Sequence, residues 1–200
     1  MNFLRAVTRI AFLCAFLGAI AGCAHSMVIS PDISKIVVPA GAVPIKKNVG
    51  YYLAETNRSA EVTTPGGGGD KVTYHPYRDT ETAFYKMLSN VFASVTLMKD
   101  PADSEVIKRD NLSFVLTPQI ATTSKSSSGL TWPPTDFTVA LTCDVVDANG
   151  KTISTYAVTG EGKAEFSQFK SDFSLSGKLA SEDALLKMQE IFLAAPELRK

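Results

Sequence analysis

The sequence predicts an α+β fold: a mixed, mostly antiparallel sheet with two amphipathic helices packed on one face. Three observations carry that expectation. Phe137, Val139, Leu141, Cys143 and Val145 alternate with Thr138, Ala140, Thr142 and Asp144, the period of a half-buried strand. Ala83, Phe84, Met87, Leu88, Val91 and Phe92 recur at three- and four-residue spacing and mark one buried helical face. Ala184, Leu185, Met188, Ile191 and Phe192 repeat that pattern near the C-terminus. A strand, a helix, a run of strands and a last helix bury their apolar faces best with both helices on one side of the sheet.

The first 22 residues have a different character. Arg5 and Arg9 precede the apolar run Ile10 to Leu17, and Gly18-Ala-Ile-Ala-Gly22 leads to Cys23. A basic region, a short apolar region and a small-residue exit describe a secretory signal peptide over residues 1–22. The apolar run falls short of the about 20 residues that a membrane-spanning helix needs. Ile20-Ala21-Gly22-Cys23 resembles the bacterial lipobox, an aliphatic residue, two small ones and a cysteine. The resemblance implies thioether diacylation of Cys23, cleavage before it and acylation of the new amino group. A plain signal peptide or an uncleaved anchor is the alternative. Ala24 stands where enteric inner-membrane lipoproteins carry Asp, which implies sorting to the outer membrane, facing the periplasm. Two or more acyl chains hold a protein on a membrane stably, whereas one does so only marginally.

Without residues 1–22 the chain has 18 basic and 20 acidic residues, a formal charge of −2. That balance, with no Lys/Arg cluster among aromatics, excludes an electrostatic nucleic-acid footprint. Cys14 leaves with the signal and Cys23 is the lipidation site, so Cys143 has no internal disulfide partner and reads as a small buried hydrophobe.

Residues 23–47 read as a lipidated tether, since Pro31, Pro39 and Pro44 break any helix. At most, Ile36-Val-Val38 adds a short edge strand. Residues 48–200 then form a single domain. Val49 to Ala54 reads as its first strand, and 56–76 as a long flexible loop around Pro65-Gly-Gly-Gly-Gly-Asp70. That run lacks the Gly-Lys-Ser/Thr that opens a helix in a phosphate-binding loop. Asp79 is the expected cap of a helix over 80–93, followed by a strand at Val95 to Met98. Residues 102–110 hold a helical turn, and Asn111 to Thr123 a strand in which Pro118 demands an edge or a bulge. Asp147-Ala-Asn-Gly150 turns the strongest strand back into Thr152 to Ala164, with Gly160 and Gly162 read as a bulge or twist. Ser181 caps the closing helix, which Pro196 ends.

Catalytic and metal signals are weak. His25 lies two residues from Cys23 and His75 precedes Pro76, neither at metal-ligand spacing with another Cys, His or acidic group. No Gly-x-Ser-x-Gly elbow occurs. No cofactor or metal is expected, and no enzymatic activity. One contact surface stands out: Trp132, the only tryptophan, with Pro133 and Pro134 stiffening its loop. Trp132 reads either as a ring folded over the sheet edge or as a partner contact, since tryptophan is enriched at interfaces.

Val49-Gly-Tyr-Tyr-Leu53, the helix with Phe84, Leu88 and Phe92, the hairpin Asp136 to Gly162 and the closing helix together resemble a loose group of small bacterial lipoproteins. The group comprises YajG-type outer-membrane lipoproteins, ABC-transport auxiliary lipoproteins, peptidoglycan-synthase activators and the curli-secretion lipoprotein. It implies a non-enzymatic envelope accessory, held to the membrane by its acylated N-terminus, that docks on an envelope protein for assembly or regulation. The alternative is a carrier of lipid or another amphiphile, with an apolar groove between sheet and helices.

Overall fold

A computed structural model describes residues 24–127 and 132–200. Cys23 and the Leu130-Thr131 part of the tryptophan loop lie outside the described residues. The strands are β1 (Ala24–Ser26), β2 (Ile45–Tyr52), β3 (Val62–Pro65), β4 (Lys71–Tyr74), β5 (Phe92–Met98), β6 (Leu112–Lys125), β7 (Asp136–Asp147) and β8 (Thr152–Lys163). The helices are α1 (Glu55–Ser59), α2 (Pro76–Val91), α3 (Ser104–Arg109), α4 (Phe166–Phe169) and α5 (Leu175–Ala194). The α+β expectation holds, with a five-stranded mixed sheet ordered β5-β2-β6-β7-β8 and a three-stranded one ordered β1-β4-β3.

The long hairpin forms as its alternation dictates. Phe137, Val139, Leu141, Cys143 and Val145 are all at most 2% exposed, and Gly150, at φ 79°, turns β7 into β8. Gly160 and Gly162 mark no bulge; the register shift falls at Val145/Val146 instead. Their missing side chains let α5 lie directly on the strand. A Cβ at Gly160 would overlap the Ala180 carbonyl and Ala184, and one at Gly162 would overlap the Ser176 carbonyl. β2 pairs parallel with both β5 and β6, so α2 belongs to a crossover between parallel strands. Pro118 sits beyond Leu116, where β2 stops pairing with β6. Two residues on, the Ile120 N–H on the same flank donates to the Tyr77 hydroxyl at 3.0 Å.

Both long helices begin earlier than their capping signals suggest. α2 starts at Pro76, whose fixed φ suits a first helical position and whose absent N–H costs nothing there. Asp79 is therefore inside the first turn, 7% exposed, and its carboxylate accepts the Ile29 N–H at 3.2 Å. α5 starts at Leu175, which puts Ser181 in the helix interior, 1% exposed. α2 and α5 share one face of the main sheet, where Phe84, Met87, Leu88, Leu185, Met188 and Phe192 are all at most 3% exposed. On the other face, α3 covers a smaller cluster of Met98, Leu112 and Val115. Asp103 caps that short helix by accepting from the N–H groups of Glu105 and Val106.

Residues 24–47 are not a free tether. β1 pairs in parallel with β4, Ala24 opposite Lys71 and Ser26 opposite Thr73. Met27, Ile29, Ile36 and Ile45 are then 3%, 0%, 0% and 1% exposed. Prolines forbid a helix here but suit an extended strap, and the four spaced apolar side chains bind it to the core. Ile29 fits against Gly177, where any side chain would collide with it. Asn90 donates from Nδ2 to the Ile36 carbonyl and to Gln189 Oε1, both at 2.9 Å, and Gln189 Nε2 donates to the Val37 carbonyl at 2.7 Å. The presumed flexible loop is ordered as well: α1 and the β3–β4 hairpin occupy it, turned by Gly68 and Gly69 at φ 66° and 87°.

Two substitutions test this packing from opposite directions. Phe92 is 3% exposed, its ring 6.1 Å from that of Phe192, so Phe92→Ala should cost about 3–5 kcal/mol. Equilibrium denaturation reads that loss directly. Among the described residues the Ser181 hydroxyl finds no hydrogen-bond partner. Ser181→Ala should therefore leave stability unchanged or raise it by up to about 1 kcal/mol, with an unchanged or higher melting temperature.

Candidate functional site

The fold brings four segments distant in sequence to one end of the molecule, next to the residue that follows Cys23. His25 is the middle residue of β1, and its ring stacks on Trp132 with centroids 4.2 Å apart and planes 18° off parallel. Phe173 also tilts against the indole, at 4.8 Å and 59°. The His25 Nε2 lies 3.3 Å from Asp70 Oδ2, the aspartate that closes the glycine run.

The glycine run has a structural purpose here. The Gly67 N–H donates to the Trp132 carbonyl at 2.8 Å, and a Cβ at Gly66 would overlap that same oxygen. The β3–β4 turn thus backs the tryptophan loop. Pro133 and Pro134 are buried, and the Pro134 carbonyl accepts from the buried Ser176 hydroxyl at 2.7 Å. Two rigid residues and a helix anchor therefore hold the loop on one side, and a turn holds it on the other. Trp132 itself is half-buried: part of the ring packs against the main core, and the rest shares an open edge with Phe173, 47% exposed. Val28, 50% exposed, is tied to the residue after Phe173, its N–H donating to Ser174 Oγ at 3.3 Å. The ring thus lies partly over the core, as the first of its two readings expects. His25, Asp70 and Phe173 were not legible as members of this site, because nothing in their local sequence links β1, the glycine turn and the approach to α5.

The remaining reactive groups are dispersed. His75, which follows β4, has its Nδ1 3.2 Å from the Ala60 carbonyl and its Nε2 3.7 Å from Glu61, partners different from those of His25. Among the described residues no cluster of three His, Cys, Asp or Glu side chains is placed to hold a metal ion. Tyr156 donates to Glu197 at 2.7 Å, which holds that carboxyl below its usual range; burial and the neighbouring carboxylate push the phenol up. The pair closes the far end of α5 on β8. The sheet–helix interface that a carrier would open is filled by Met87, Leu88, Met188 and Phe192, each 0% exposed. A surface cavity of about 430 Å³ lies at the free flank of β6, lined by Asn57, Tyr77, Gln119 and Thr142 among others, a mixed polar lining.

No family model matches the chain, and no curated protein sequence does. Several solved structures are similar to it. A Xanthomonas campestris protein of the DUF330 family is 10% identical with a TM-score of 0.47, covering 86% of this chain and 95% of that one. A minor lipoprotein from Acinetobacter baumannii is 13% identical with a TM-score of 0.42, covering 74% and 93%. The PelC dodecamer from Paraburkholderia phytofirmans is 17% identical with a TM-score of 0.39, covering 72% and 91%.

Cys143 is the free thiol among the described residues. It is 0% exposed on β7, and burial, with Asp144 nearby, pushes its thiol well above the ordinary range. A raised thiol pKa means a neutral, unreactive group at any pH near neutrality. A maleimide reagent at pH 8 should leave Cys143 unmodified in the folded protein and label it fully in denaturant, as read by mass spectrometry.

Proposed function

We propose that this protein is a non-enzymatic envelope lipoprotein, anchored through acylated Cys23 to the outer membrane and facing the periplasm. It serves as an assembly, docking or regulatory accessory to a cell-envelope complex. The observation that carries the reading is the join between Ile20-Ala-Gly-Cys23 and the domain. The residue after the lipobox cysteine, Ala24, already pairs with Lys71 in a strand. Cleavage before Cys23 would leave the acylated residue joined directly to exposed Ala24, the neighbour of His25 in the aromatic site.

Several features support a contact role in preference to catalysis. The described histidines each meet one carboxylate in separate places, and the one thiol among the described residues is buried. The site beside Cys23 is instead an aromatic surface on a stiff loop, which loses little ordering entropy on contact. Among the described residues no helix is long and apolar enough to cross a membrane, so on this reading the lipid supplies the attachment. Two or three acyl chains suffice for that.

The reading is tested at Cys23. In a bacterial host with lipoprotein-processing enzymes, metabolic palmitate labelling should mark the wild-type protein and vanish in Cys23→Ser, which should accumulate unprocessed or soluble. Equal labelling of both proteins would reject the anchor. Crosslinking in native envelopes, followed by mass spectrometry, then identifies the protein that the accessory role requires.

A further inference from the structure

The site beside Cys23 also indicates what covers it. We propose that Trp132, Phe173 and Val28 form a membrane-contact surface, seated at the boundary between the headgroups and acyl chains of the bilayer that holds the Cys23 lipid. The proposal rests on acylation of Cys23 and deepens it: the lipid would set the orientation of the domain as well as its location.

The first argument is covalent. Consecutive Cα atoms are about 3.8 Å apart, so roughly 7 Å of chain separates His25 from an acylated Cys23. His25 stacks directly on Trp132. The strand pairing of Ala24 to Ser26, the Met27 N–H bond to the Thr73 carbonyl at 2.8 Å and the burial of Ile29 leave no slack between anchor and domain. The surface around His25 must therefore lie against the bilayer, and a protein partner would have to enter between the two. The second argument is chemical. An indole has an apolar body and one N–H donor, the combination that concentrates tryptophan at membrane interfaces. Phe173, in ring contact with Trp132, extends the apolar area, and Val28 is bonded to the next residue, Ser174; both are among the exposed large apolar residues of the described part. The neighbouring charges are of both signs: Lys71 is opposite Ala24 and Asp70 meets His25, while Lys125 and Lys163 line one cavity with Asp136 and Glu161. Apolar seating, rather than attraction to anionic headgroups, is thus the interaction expected.

Trp132 is the only tryptophan, so intrinsic fluorescence reads this ring alone. The full-length lipidated protein is reconstituted in phosphatidylethanolamine–phosphatidylglycerol vesicles, with and without bromine on the upper acyl-chain carbons. The expected result is flotation with the vesicles, a blue-shifted emission and a quenching of about twofold or more by the brominated lipid. Phe173→Ser, at an exposed position, should keep the melting temperature and flotation but lose most of the quenching. Flotation with unquenched, water-like emission would overturn the membrane contact and leave the anchor standing. No flotation would remove the anchor and the proposal together. Unaltered quenching in Phe173→Ser would exclude Phe173 and break up the proposed patch.

Discussion

Two buried amides fix the N-terminal strap to the rest of the molecule, and the geometry of the anchor end depends on them. Asn90 on α2 and Gln189 on α5 bond to each other and between them satisfy the carbonyls of Ile36 and Val37. Gln189 is 0% exposed and Asn90 7%, so water is a poor substitute for either partner. Losing one amide would strand buried polar groups, each at about 1–3 kcal/mol. Farther up the strap, Asp79 holds the Ile29 N–H and its carbonyl accepts from Ser30 Oγ. One segment is thereby clamped to both long helices, and it joins their packing as much as it depends on it.

That clamp has a long-range consequence. α5 has 20 residues and so spans about 30 Å. It begins just after Phe173, at the aromatic end, and finishes beside the turn Pro196–Arg199, where Arg199 donates to the Val43 carbonyl. The strap runs the same length in the same direction, from β1 to β2. If the start of the strap is held at a membrane, the exposed residues Val37, Val38 and Val43 and the neighbouring Lys46 and Lys47 lie toward the opposite pole. The domain is thus polarised along α5, with an aromatic end and an aliphatic-basic end.

The parts of this fold that were legible in the sequence are those whose signal is local. Alternation sufficed for β7, the Asp147-to-Gly150 turn signal for its partner β8, and helical spacing for α2 and α5, because each signal lies within or next to one element. The parallel pairing of β2 with β5 and β6 was not legible, since parallel partners meet only through a crossover and leave no turn signature between them. Helix starts were misplaced for a different reason. Asp79 and Ser181 have the chemistry of caps, but tertiary packing extends both helices past them. Asp79 is then used by the strap, and Ser181 is left with a buried hydroxyl. The strap was missed because Met27, Ile29, Ile36 and Ile45 have no common period, and their burial comes from contacts with α2, α5 and β4. At the candidate site only Trp132 was singled out, as a large amphipathic ring in a proline-stiffened loop. Its companions His25 and Phe173 are ordinary in their own neighbourhoods.

The glycines show why such a site resists local reading. Gly68 and Gly69 are required by positive φ, which a turn imposes from within the chain. Gly66, Gly160 and Gly162 are required by what approaches them: the Trp132 carbonyl in the first case and the backbone of α5 in the others. The first kind can be inferred from a run such as Gly66 to Asp70. The second kind depends on a partner outside the local run, from Ser176 for Gly162 to Trp132 for Gly66, and in this protein those partners determine the site. Gly160 and Gly162 bring α5 down onto β8, its Gly177 makes room for Ile29, and Gly66 seats the loop of Trp132. Close backbone approach, rather than any motif, is what gathers β1, the tryptophan loop and Phe173 at one end of the domain, beside the residue that would bear the lipid.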